Sequence, residues 1–89
     1  MLYRELIETP EPVFDAHLDD LIYDISAAAT HQHPDNRQVM QLVMQLLQYA
    51  RSKGKNSHAF KTAGANLKKM QAAFGRTIPE LRQLDLSLF

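Results

Sequence analysis

Three of the four histidines stand near carboxylates, and a run of bases follows these three; these are the side chains here whose types and spacing could do chemistry. His17 precedes Asp20 and Asp24 by three and seven positions. On a helix that spacing puts all three along one edge, a geometry a divalent ion can use. His31-x-His33 lies just before Pro34 and Asp35. Histidines in a polar connector are far more often solvated than ligating, so no metal site is assigned. Cysteine is absent, which excludes thiolate metal sites, disulfide scaffolds and a cysteine nucleophile. No nucleophile elbow, glycine-rich phosphate loop or H-E-x-x-H pair occurs. The acids of residues 15–24 read as a solubilising helix face. The sequence therefore predicts a protein without catalytic residues and without a cofactor.

The charges are sharply segregated. Residues 1–35 hold eight acids and one base, a net −7, whereas residues 36–79 hold eight bases and no acid, a net +8. The last ten residues carry −1, so a formal net charge of zero hides a dipolar chain. Seven bases fall between Arg51 and Arg76: Arg51, Lys53, Lys55, Lys61, Lys68, Lys69 and Arg76. Such a stretch either pairs with the acidic segment across the fold or forms a patch for an anionic partner. If the acidic helix covers the bases, protein contact is favoured; if the two lie on opposite faces, nucleic acid gains. The order Ala50, Gly54, Phe60, Ala63 has the outline of a degenerate helix-turn-helix, although Lys53 and Lys55 flank the glycine where that motif buries apolar side chains. On that reading Ser57, His58, Lys61, Thr62 and Asn66 would face bases, and Arg51, Lys55, Lys68 and Lys69 would hold phosphates. A pI near 6.9 argues against it.

The elements that must position these groups are helices. Val, Ile and Thr are sparse, Leu, Gln and Ala abundant, and no segment alternates with period two. Eighty-nine residues make one domain, and 45% apolar content is enough for a modest core. No apolar run approaches the length of a membrane span, and the start lacks the order of a signal peptide, so a cytoplasmic protein is expected. Residues 1–8 read as a short helix or a docked arm. Thr9-Pro10-Glu11-Pro12 reads as a helix start, with Thr9 as cap. Phe14, Leu18, Leu21, Ile22, Ile25 and Ala28 then form one face of a helix running to about Ala29. A central, largely buried helix is predicted over 35–52, relieved by a narrow stripe of Gln38, Gln41, Gln45, Gln48 and Ser52. Gly54 ends it. Asn56 or Ser57 starts a third helix, whose seam is Phe60, Ala63, Leu67, Met70 and Phe74, and Gly75 closes it. Thr77-x-x-Glu80 matches a capping box for a short fourth helix, from which Leu81, Leu84 and Leu88 pack back. The expected fold is thus an all-α bundle of three to four helices.

The favoured function is contact with another protein, or with a second copy, as a small regulatory or adaptor protein. Asp15, Asp19, Asp20 and Asp24 would steer a basic partner. Met40 and Met44, one turn apart, are adaptable contact residues. Leu86, Leu88 and Phe89, with Leu2 and Tyr3 at the other end, either fold back or complete an interface. The alternative is a DNA-binding regulator using residues 51–76.

Overall fold

The computed structural model describes residues 14–89. Among the described residues four helices follow one another: α1 (Ala16–Ala29), α2 (Asn36–Lys53), α3 (His58–Phe74) and the single turn α4 (Pro79–Arg82). No strand occurs among the described residues, so the all-α bundle stands as expected. The expectations for residues 1–8 and for Thr9 as a cap lie outside the described residues.

Each long helix starts where a side-chain oxygen meets an unpaired backbone N–H. The Asp15 carboxylate accepts from Leu18 N at 3.1 Å. The Asp35 carboxylate accepts from Arg37 N and Gln38 N at 3.1 and 3.3 Å. The Ser57 hydroxyl accepts from Phe60 N at 3.1 Å and donates to the Gly54 carbonyl at 2.6 Å. Gly54 breaks α2 at φ 96°, a conformation that side-chain-bearing residues avoid, and Arg51 and Lys53 sit in the last turn, where cations oppose the helix dipole.

Three expectations are corrected. The first helix does not include Phe14. Asp15 caps α1 in an extended conformation, which turns Phe14 off the helix and leaves it 83% exposed. The capping box at Thr77 does not form. The Thr77 hydroxyl donates backward to the Phe74 carbonyl at 3.2 Å, and Ile78 occupies the cap position with its side chain fully buried; burial of Ile78 outweighs the single hydrogen bond a Thr cap would add. Leu88, expected to pack back, is 69% exposed.

One continuous core joins the helices. α1 contributes Leu18, Leu21, Ile25 and Ala29, and α2 contributes Val39, Val43, Leu46, Leu47 and Ala50. α3 contributes Ala59, Ala63, Leu67 and Met70, followed by Ile78, Leu81 and Leu86. α2 touches all three other helices and is the centre of the fold. Its glutamines at 38, 41, 45 and 48 are exposed, so its polar stripe faces outward as the spacing requires.

Candidate partner-docking groove on α3

The site begins with the segment after α4. Gln71 of α3 donates its side-chain amide to the carbonyls of Leu81, Arg82 and Leu84, at 3.0, 3.2 and 2.7 Å. Leu81 and Arg82 end α4 and Leu84 follows it, so this one side chain fastens the end of the turn to α3. The Asp85 carboxylate then accepts from Ser87 N at 3.0 Å; that bond holds its acid below the ordinary carboxylate range. The turn inserts Leu86 into the core and lays Phe89 against α3. The Phe89 ring stacks on Phe60, with centroids 4.4 Å apart and planes 18° apart. Its backbone carbonyl accepts from Lys68 Nζ at 2.6 Å. Phe89 comes this close because Gly64 has no side chain: a Cβ there would lie 2.5 Å from the Phe89 ring.

The result is an open groove of about 640 Å³. Phe60, Leu88 and Phe89 supply its apolar surface, and Lys55, Lys61 and Lys68 stand around it. Arg51 borders the same aromatic pair. All four cations are exposed. Lys61, Gly64, Ala65 and Lys68 share one side of α3, which is why the groove is both aromatic and basic.

The nine residues proposed for nucleic-acid contact divide. Arg51, Lys55, Lys61 and Lys68 gather at the groove. Thr62, Asn66 and Lys69, spaced four and three apart, lie on another side of α3. Thr62 is 3.3 Å from His58 Nε2, and Asn66 donates to the Thr62 carbonyl at 2.8 Å. Both side chains are therefore engaged within their own helix. Ser57, a further proposed base contact, caps α3. Lys53 leans over the Tyr49 ring, 5.2 Å from its centroid. The acidic helix does not cover the bases: Asp19, Asp20 and Asp24 are exposed, and so is every base from Arg51 to Arg76. By the criterion of charge placement this leaves an anionic partner open. The contents of the groove decide which kind fits.

Among the proposed partner-binding residues, Leu86 is buried in the core and is unavailable to a partner, because the turn at Asp85 directs it inward. Asp15 is likewise structural. Besides capping α1, its carboxylate accepts from the Tyr49 hydroxyl at 2.5 Å, and the His17 ring meets Tyr49 edge-on, with centroids 4.6 Å apart. The Tyr49 and Leu18 hydrogen bonds hold the Asp15 carboxyl below the usual carboxylate range, and the same contact raises the Tyr49 phenol above its ordinary value. A carboxyl depressed in the folded state contributes stability above its unfolded pKa of about 3.9, and that contribution is lost as pH falls through the lower folded value. The urea midpoint is therefore expected to drop below about pH 4, and to drop less in Tyr49→Phe, whose Asp15 has lost its main stabilising partner. Equal acid slopes in the two proteins would contradict this account.

Two other concave surfaces lie among the described residues. Asp24, His31, His33, Gln38 and Leu42 line a cleft at the α1–α2 connector. There the His31 Nδ1 accepts from His33 N at 3.1 Å, and no group of three or more His, Asp or Glu residues that could hold a metal ion occurs among the described residues. The second surface runs along α2 and includes Met40 and Met44. No described helix is long and apolar enough to cross a membrane. The chain matches no family model, and no similar curated protein or solved structure was found.

Proposed function

We propose that this chain is a small cytosolic adaptor or regulator that captures an acidic, amphipathic segment of another protein in the groove between Lys55 and Phe89. The observation that carries this reading is an exposed Leu88 beside a stacked Phe60–Phe89 pair, framed by four exposed cations. Apolar anchors surrounded by like charge call for a ligand that is apolar on one side and acidic on the other. The cations speed encounter and select against basic segments. The anchors supply most of the affinity, since each exposed ion pair adds only about 0–1 kcal/mol. A nucleic acid fits less well. Phe60 and Phe89 spend ring faces on each other rather than offering them to bases, and Leu88 has no counterpart on a phosphate backbone.

Fluorescence anisotropy tests the reading with a labelled amphipathic peptide bearing Leu and Phe on one helical face and Glu on the other. Its Lys-substituted counterpart and a DNA duplex serve as competitors. The Glu peptide is expected to bind, more weakly as salt rises past about 0.15 M, and to lose at least about tenfold in affinity for the Lys55→Glu/Lys61→Glu double variant. Duplex DNA binding more tightly than the peptide, or a double variant that binds the peptide normally, would overturn the proposal.

A further inference from the structure

The acidic and basic sides of this molecule stand on different helices. α1 turns an acidic face to solvent. Tyr23 is 72% exposed, and Asp19, Asp20 and Asp24, which surround it on the helix, are exposed as well. Ala16 and Ala27 continue the same side and are also exposed, so no bulky neighbour on α1 hides the ring. The remaining exposed residue of α1, His17, meets the Tyr49 ring instead. α1 therefore presents an aromatic anchor among three acids, and it carries no lysine or arginine. The groove on α3 is the counterpart in both respects. Phe60, Leu88 and Phe89 lie among Arg51, Lys55, Lys61 and Lys68, and among the described residues neither an acid nor any part of α1 lines it.

We infer that the groove also receives α1 of a second copy of this chain, with Tyr23 entering beside Leu88 and Phe60, and with Asp19, Asp20 and Asp24 set against Lys55, Lys61 and Lys68. The inference rests on the reading of the groove as a site for acidic, amphipathic segments, and it names one that the chain itself carries. The contact is head-to-tail: two different surfaces meet, so no charge is placed against its own copy. Acids face bases throughout, which favours encounter in this orientation and penalises others. The formal net charge is zero, so two copies approach without the overall repulsion that keeps charged proteins apart. The separation of that charge onto two faces then orients them. α1 is already a helix packed on its own core, so docking does not carry the ordering cost that an unfolded peptide bears. Tyrosine suits such a groove, because its ring is apolar while its hydroxyl can stay in water at the rim.

Sedimentation equilibrium of the full chain is the test, at about 50 mM salt and up to about 1 mM protein. The weight-average mass is expected to rise with concentration. The dissociation constant is expected to increase at least about tenfold in Tyr23→Ala, and again when salt is raised to about 0.5 M. Two charge reversals give the sharper result. Asp20→Lys/Asp24→Lys and Lys55→Glu/Lys61→Glu should each be monomeric alone and should associate when mixed, because the intact groove of the first meets the intact α1 of the second. All these positions are exposed, and circular dichroism checks that the helices are retained. Asp20→Lys/Asp24→Lys leaves the groove untouched and should bind the labelled Glu peptide at least as well as the parent. A parent chain that stays monomeric overturns the inference. So does association that persists in either reversed variant, or that fails to return on mixing. If the peptide binds while the parent stays monomeric, the groove reading stands and the second copy alone is wrong; if the groove holds neither, both fall.

Discussion

Replacing Leu46 with alanine is expected to lower the free energy of unfolding by about 2–5 kcal/mol, a large part of the about 5–15 kcal/mol available to a small domain. Leu46 is fully buried at the centre of the α2 core face, on the helix that touches all the others. The removed atoms leave a space within the core that the surrounding side chains must move inward to close. Close-packed interiors relax only partly around such a deletion. Met44→Ala, two positions away on the exposed side, is the internal control and should change stability by less than about 1 kcal/mol. Urea denaturation of the two variants measures both. If they are equally destabilised, α2 is not oriented as described.

That contrast was half legible in the amino-acid order: the glutamines mark an outward face, but Met44 belongs to the apolar set of a helix expected to be largely buried, and it is 44% exposed. On α2 the alternation of Val39, Val43, Leu46, Leu47 and Ala50 with the glutamine stripe separates core from surface without any coordinates. The seam Ala63, Leu67, Met70 of α3 is equally plain. Asp35, Gly54 and Ser57 mark helix ends through local chemistry that acts over three or four residues. What was not legible depends on contacts between distant parts of the chain. Asp15 reads as a solvated helical acid until Tyr49, 34 positions later, is seen to hold it. Phe14 fits the apolar period of α1, yet a cap one residue later removes it from the helix. Thr77 satisfies a local rule that loses to the burial of Ile78. The candidate groove was half visible. Its cations and Phe60 stand in the basic stretch, and Leu88 and Phe89 were suspect as exposed apolar residues. Nothing local says that the two halves meet. Gln71, which pins the carbonyls beyond α4, and Gly64, which admits Phe89, carry no signal until the chain has folded back.

Gly64 gives the sharpest separation of fold from function. Alanine at this position would place its Cβ 2.5, 2.6 and 2.8 Å from Phe89 Cδ1, Cβ and Cγ, distances at which the two cannot coexist. Because the Phe89 Cβ itself is among the clashing atoms, a change of side-chain rotamer does not relieve the contact; the backbone of Phe89 must leave α3. The Phe60–Phe89 stack is then lost, at about 0.5–1.5 kcal/mol, together with the Lys68 hydrogen bond. In return the interior of α3 exchanges glycine for alanine, a gain of about 1 kcal/mol. The opposing effects nearly cancel, so the thermal midpoint of Gly64→Ala is expected to stay within about 8 °C of the parent. The groove does not survive so well, because one of its two aromatic anchors has gone. Affinity for the acidic peptide should fall at least about tenfold, and the Phe60 ring resonances should lose the shift imposed by the Phe89 ring. Phe89→Ala should reproduce the binding loss without the gain in helix propensity. Should Gly64→Ala bind the peptide normally while the Phe60 resonances show that the ring has departed, Phe89 is a structural strap and the docking site lies elsewhere on the basic surface.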